Sequence, residues 1–138
     1  MASAAIPYLI DANVYVGFTN NEDSLHAQAM ATLLELQNKG SLFILFDHVI
    51  QEILTVFLYS SQNTLVELFL DEAMSDLNVL TVDTPIEWLT DAMTLAAKHH
   101  FKPKMSTIDW LLLSRSIATG APILTFDKQL LAASKKLC

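Results

Sequence analysis

The chain has few of the residues that interrupt or cross-link a fold. Its 138 residues include three glycines, four prolines and one cysteine, Cys138. A lone cysteine cannot form an internal disulfide, so a reducing compartment is the default environment. No stretch is typical of a linker, an internal repeat or a low-complexity tract. The length predicts a single domain over 1–138 that is large enough to bury a core.

Membrane-directing segments are also lacking. Residues 1–6 do not have the basic start and long apolar centre of a signal peptide. The longest uncharged stretch, 53–66, contains polar residues and is too short to cross a bilayer. We therefore expect a cytoplasmic protein with no membrane partner.

Positive charge is scarce, whereas apolar residues are plentiful. Eight Lys and Arg against fifteen Asp and Glu give a net charge of -7, which argues against bulk electrostatic attraction to polyanions. The apolar fraction of 52% is at the upper end of ordinary soluble usage. This excess predicts an apolar surface that a partner or a second copy covers, and hence a homodimer.

Predicted strands and helices alternate along the chain. Short apolar runs predict strands, and helical periodicity with capping residues predicts the helices between them. Ser24, Asp47 and Ser106 are predicted helix caps, and Gly120 is a predicted helix end. Such alternation is typical of an α/β fold, with a parallel sheet and helices on both faces. The predicted strands are 7–11, 42–46, 78–82 and 122–126, and the later helices are 48–59, 62–76, 85–98, 106–119 and 128–137.

Four acidic residues occupy positions that such a fold would bring together. Asp11 and Asp127 directly follow the first and fourth predicted strands, and ligands bind beyond the carboxyl ends of parallel strands. Glu52 and Asp109 lie on predicted helices. Like charges gathered in a half-buried site repel each other, so such a cluster is better suited to holding hard divalent cations such as magnesium or manganese.

Each of these acidic residues also has a structural explanation. Asp11 and Asp127 could cap the helices that follow them, and Asp109 could form a capping box with Ser106. Glu52 could be an ordinary solvated helix residue. Against this, the helix 106–119 is apolar almost all round and is predicted to be buried, so a carboxylate on it needs a partner such as a cation.

The four acidic residues lie in four short segments, Ile10–Val14, Val49–Leu54, Ile108–Leu113 and Leu124–Asp127. The order and spacing of these segments resemble the PIN-domain nucleases over nearly the whole chain. The resemblance implies a three-layer α/β/α domain with a central parallel sheet of about four or five strands. It also implies that the four acidic residues bind Mg²⁺ or Mn²⁺ and cleave RNA phosphodiesters, with Asn13 and Thr125 supporting them through hydrogen bonds. Small family members are often VapC-type toxins that a cognate antitoxin protein holds inactive.

Basic residues supply further candidates for RNA contact. Lys102 and Lys104 belong to the most basic stretch, 98–104, where Phe101 could stack on a base; a solvated loop is the alternative. Arg115, the only arginine, could contact phosphate or pair with a carboxylate.

Two other classes of function compete with the ribonuclease. A non-catalytic PIN-like module would keep the fold and work through protein contacts, although an intact acidic set counts against it. A metal-dependent phosphatase or a phospho-acceptor receiver would also place Asp at strand ends. However, Asn13 stands where the common phosphatase motif has its second Asp, and the acidic pair expected after a receiver's first strand is absent.

Overall fold

A computed structural model describes residues 5–101 and 104–138. Within these residues the chain forms four strands and seven helices. The strands are β1 (Pro7–Ile10), β2 (Leu42–Phe46), β3 (Val79–Val82) and β4 (Ile123–Leu124). The helices are α1 (Ala12–Thr19), α2 (His26–Asn38), α3 (Asp47–Tyr59), α4 (Asn63–Ser75), α5 (Ile86–Lys98), α6 (Thr107–Thr119) and α7 (Lys128–Leu137).

The four strands form one parallel sheet in the order β3-β2-β1-β4. The chain steps from β1 to β2 to β3 in one direction and then crosses back to place β4 on the other side of β1. The direction of strand order therefore reverses between β1 and β4, and ligands of open α/β sheets bind at such a reversal. This confirms the predicted α/β architecture with a parallel sheet, and it makes the first and fourth strands neighbours.

The helices pack in two groups. Contacts join α1 to α2, α3 and α4, whereas α6 packs against both α5 and α7. With the sheet between them, the groups give the three layers that the resemblance implied. Leu111, Leu112 and Leu113 of α6 are all buried, as predicted for a helix that is apolar almost all round.

Side-chain caps begin three of the seven described helices, α1, α6 and α7, and two predictions about caps were wrong. Ser106 caps α6 in a capping box, and Gly120 ends that helix in the left-handed conformation that favours glycine. Ser24, by contrast, does not cap α2, which begins after Leu25 without a side-chain cap. Asp47 is the first residue of α3 rather than the residue before it, and its carboxylate accepts from both the His48 amide and Thr84 beyond β3.

The fourth strand is shorter than predicted. It was expected over 122–126 but spans only Ile123–Leu124. Beyond Leu124 the Phe126 amide donates to the Asn13 side chain instead of to a neighbouring strand, and the Thr125 hydroxyl donates to Asp11. β4 thus ends just before the segment that contains Asp127. No helix in the described ranges is long and apolar enough to cross a membrane.

Candidate active site

Asp11 lies at the centre of the sheet edge. It directly follows β1, and its amide donates to the carbonyl of Leu124 over 2.9 Å, which ties it to β4. One carboxylate oxygen accepts from the Ala12 amide at 2.8 Å. The other accepts from the Thr125 hydroxyl at 2.7 Å. Only 5% of this residue is exposed, so its orientation is fixed by both backbone and side-chain bonds.

Asn13 and Thr125 join Asp11 to Asp127 in one hydrogen-bond network. The Asn13 amide nitrogen donates to Asp11 at 3.5 Å and to the Thr125 hydroxyl oxygen at 3.3 Å. The Asn13 amide oxygen accepts from the Phe126 backbone at 3.1 Å. The Thr125 oxygen also accepts from the Asp127 amide at 3.0 Å. The structure therefore places both predicted supporting residues in contact with the acidic pair at the strand ends.

Asp109 approaches the same edge from α6. One of its oxygens accepts from the Ser106 amide at 3.1 Å, and its own amide donates to the Ser106 hydroxyl at 3.1 Å. Its second oxygen makes no hydrogen bond within the described part of the chain. Asp127 is similar, since only one of its oxygens caps α7, at 2.8 Å from the Gln129 amide. The structural explanations of these residues therefore hold, but each leaves an oxygen free to ligate.

Glu52 reaches the cluster from α3. It is exposed at its helix surface and lines a cavity of about 260 Å³ between α3, α5 and α6. Burial, Asp11 and Asp109 together raise its pKa. It is therefore close enough to both carboxylates to be repelled by them, which an isolated solvated glutamate would not be.

Asp11 is within electrostatic reach of the other three carboxylates, and the four are called here the acidic quartet (Asp11, Glu52, Asp109 and Asp127). Burial raises the pKa of Asp11, and Asp109 and Asp127 raise it further, against the lowering effect of its hydrogen bonds. Burial also raises the pKa of Asp109, and Asp127 adds to this rise. Mutual repulsion of this kind disfavours the ionised forms unless a cation joins them.

No basic side chain among residues 5–101 and 104–138 supplies that cation. The one ion pair in those ranges joins Lys39 to Glu35 on the surface of α2, at 3.2 Å. In the same ranges, no group of three or more His, Cys, Asp or Glu side chains is arranged so that it could hold a metal ion. The donor chemistry fits a hard divalent ion, whereas the described side chains are not grouped around a common ion position.

The three basic candidates have different positions. Lys102 lies outside the described residues. Lys104 is exposed and lines a cavity of about 330 Å³ that it shares with Phe101 and Trp110, and Phe101 packs against Trp110 at 5.6 Å between ring centroids. Arg115 lies over the ring of Trp88 at 3.9 Å, a cation–π contact, and it has no carboxylate partner within the described ranges.

The sequence reasoning missed the surroundings of Glu52. His48, Gln51 and Thr55 were not among the predicted site residues, yet all three line the cavity beside Glu52. Their spacing could have indicated this, because residues 48, 52 and 55 recur on one helical face.

Comparison with known families identifies the class of protein that has this α/β sheet with acidic residues at its edge. The chain belongs to the PIN domain family, which matches residues 8–136. The predicted resemblance is therefore confirmed. No curated protein is similar enough in sequence to serve as a relative.

Solved structures share this fold at low sequence identity. VapC20 of Mycobacterium tuberculosis, described as a sarcin-ricin loop cleaving toxin, has a TM-score of 0.76 and 16% identity, covering 91% of this chain and 94% of its own. VapBC2 of Rickettsia felis, solved with a DNA fragment from its promoter, has a TM-score of 0.63 and 16% identity, covering 96% and 93%. At this identity the likeness shows the fold alone.

Proposed function

We propose that this PIN-domain protein is a metal-dependent endoribonuclease of the VapC type and that the acidic quartet is its active site. One observation supports this most strongly. Asp11 is buried, has a raised pKa, and has acidic rather than basic neighbours in the described structure. A buried carboxylate in acidic company destabilises a fold unless it serves a ligand.

Each member of the quartet has a proposed role. Asp11 and Asp109 would hold one Mg²⁺ or Mn²⁺ ion, and Glu52 and Asp127 would hold a second ion or orient the attacking water. A bound divalent ion would lower the pKa of a coordinated water and would place positive charge beside the scissile phosphate. Asn13 and Thr125 fix the direction of the Asp11 carboxylate through their hydrogen bonds, as second ligand shells do in metal sites generally.

The partners follow from the structural neighbours and from the surface. VapC20 is described as cleaving the sarcin-ricin loop, and VapBC2 as bound to promoter DNA. By analogy, we propose RNA as the substrate here and an antitoxin protein as a partner. Large apolar side chains are exposed in the described structure, among them Leu58, Tyr59 and Leu77, which is the surface that association requires.

The homodimer is the simplest form of that association. Light scattering at micromolar concentration should give about twice the chain mass of 15.3 kDa. A protein that stays strictly monomeric and soluble would contradict it, while leaving the enzymatic proposal untouched.

The deciding experiment uses purified protein and end-labelled RNA with Mn²⁺, Mg²⁺ or chelator. Cleavage should require a divalent ion, and Asp109→Asn should reduce it by at least roughly 100-fold because a neutral amide is a much poorer ligand. Asp91→Asn is the matched control, since Asp91 is exposed on α5 and makes no side-chain contact with the quartet. Wild-type cleavage by the Asp109→Asn protein would overturn the mechanism.

A non-catalytic PIN-like module is the second candidate. It is favoured by the open arrangement of the quartet, in which no three described side chains are set to hold an ion. This reading predicts that no divalent ion restores cleavage of any RNA and that Asp109→Asn leaves partner binding unchanged.

A further inference from the structure

We propose that the cavity beside Glu52 binds one unpaired nucleobase next to the cleaved bond, and that Gln51 and Thr55 select that base. This inference rests on the proposed ribonuclease function and extends it to the recognition of the substrate. The cavity, called here the base pocket, is lined by α3, α5 and α6.

The base pocket borders the acidic quartet. Glu52 belongs to both, and His48 and Thr55 lie on the same face of α3 at helical spacing. On the opposite wall, Thr107 is two residues before Asp109 at the start of α6. A nucleotide whose phosphate lies at the quartet would therefore have its base directed towards this cavity.

The floor of the base pocket is apolar. Leu111 is buried, and Leu89 and Ile108 are half-buried. A nucleobase has two apolar faces, and single-stranded nucleic acids bind through such faces placed on apolar or aromatic side chains. The floor thus offers contact area to a flat ring without reading its identity.

The rim of the base pocket is polar and its hydrogen-bonding groups are unused. Thr32 and Thr90, at the centres of other helices, each donate to the carbonyl four residues earlier. Thr55 does not, and neither its hydroxyl nor the Gln51 amide has a partner within the described residues. These groups are available to the edge of a base, where donors and acceptors distinguish one base from another.

Charge and size favour a single base over the main alternatives. Neither Lys nor Arg is among the residues that line the pocket, so the pocket offers a second phosphate no fixed positive side chain. The cavity volume of about 260 Å³ lies just below the roughly 300–1,000 Å³ of pockets that enclose drug-sized ligands. A single base fits that volume better than a stacked pair.

One consequence concerns the substrate. A base that enters the pocket must leave its helical stack, so cleavage requires a loop, a bulge or a single strand at that nucleotide. Double-stranded RNA should be a poor substrate.

The test measures cleavage of a random-sequence single-stranded RNA library by the wild type, Gln51→Ala and Thr55→Val. Each substitution should weaken base preference at one position beside the cut by roughly 2- to 10-fold, as expected for the loss of one hydrogen bond. Preferences at other positions should be unchanged. Thr32→Val is the matched control, because Thr32 is exposed on α2 outside the pocket.

A binding measurement separates this inference from the proposed catalysis. A short RNA should bind the wild type in chelator or calcium more tightly than the same RNA with one abasic nucleotide, and Thr55→Val should reduce that difference. If the wild type binds in this way but does not cleave, the base pocket stands and the nuclease proposal fails. If cleavage is intact while both variants keep wild-type base preference, or lose rate equally on all sequences, the base pocket is refuted.

Discussion

Asp11 and Asp47 occupy equivalent places in two neighbouring units of the fold. Each directly follows a strand of the parallel sheet, Asp11 after β1 and Asp47 after β2; Asp11 is the cap of α1, and Asp47 is the first residue of α3. Each carboxylate also accepts hydrogen bonds of similar length. The Thr125 hydroxyl donates to Asp11 at 2.7 Å, and the Thr84 hydroxyl donates to Asp47 at 2.7 Å.

Their acid–base behaviour is nevertheless opposite. Burial tends to raise the pKa of Asp47, but hydrogen bonds from Thr84 and His48 outweigh it, so the pKa is lowered. Burial raises the pKa of Asp11, and the carboxylates of Asp109 and Asp127 raise it further. Asp47 joins β2 to the segment after β3 and stabilises the fold. The difference teaches that acidic neighbours, rather than position at a strand end, mark the proposed metal site.

The largest difference between the Asp11 and Asp47 variants should appear in the rate of RNA cleavage. Asp11→Asn removes a proposed metal ligand and should lower RNA cleavage by at least roughly 100-fold. Asp47→Asn should stay within a few-fold of the wild type, because an amide oxygen can still accept from His48 and Thr84. Single-turnover rates in manganese would measure both. Equal losses of cleavage rate in the two variants would show that Asp11 and Asp47 do not differ in function.

The second-largest difference between Asp11 and Asp47 should appear in the stabilisation of the fold by metal. An ion bound only by the folded state adds about 2.7 kcal/mol at a hundredfold excess over its Kd, or roughly 5 to 10 °C in Tm for a domain of this size. We expect this rise for the wild type and Asp47→Asn, and little of it for Asp11→Asn. Calorimetry in manganese and in chelator would provide the values. A wild type that melts at one temperature in both conditions does not bind the ion, and capping would then be the whole role of these residues.

The pH dependence of stability without metal should have opposite signs at the two sites. The pKa of Asp11 is raised above its ordinary value of 3.8, so the folded state binds more protons at this site than the unfolded state does. The contribution of Asp11 to the stability of the folded state therefore decreases as pH rises through the folded pKa. The lowered pKa of Asp47 gives a contribution that is present above pH 3.8 and lost as pH falls through its folded value.

Denaturant unfolding in chelator between pH 3 and 8 would reveal both trends. Asp11→Asn should be more stable than the wild type at neutral pH and should approach it in acid, where the repulsion disappears. Asp47→Asn should be less stable at neutral pH and converge with the wild type only in stronger acid. An Asp11→Asn protein that is destabilised at every pH would mean that its hydrogen bonds outweigh the repulsion.

The sequence predicted the strands, the helices and the strand-end carboxylates because each depends on local patterns. Apolar runs and caps such as Ser106 are set by nearby residues. The predicted β4 was too long, and the residues after its observed end, Thr125 and Phe126, bond to Asp11 and Asn13, more than a hundred residues earlier. Asp47 was misplaced by one position, and its partner Thr84 lies beyond the next strand. Contacts at long sequence separation leave no local signal.

The base pocket could not be predicted from the sequence for a related reason. Its lining combines residues of α3, α5 and α6, and only the packing of three helices shows that Leu89 and Thr55 share a cavity. The helical spacing of His48, Glu52 and Thr55 could have indicated a common face, but not what that face meets.

The smallest effects should come from the two threonines that bind these aspartates. Thr125→Val removes the donor to Asp11 and the acceptor of the Asp127 amide, so it should cost about 1–3 kcal/mol of stability and roughly 10-fold in cleavage rate. Thr84→Val removes only a hydroxyl donor to Asp47, so it should cost about 1 kcal/mol and leave cleavage unchanged. Urea unfolding and cleavage rates, measured on the same samples, test both variants. If Thr84→Val slows cleavage as much as Thr125→Val does, the network around Asp11 has no special role in positioning the acidic quartet.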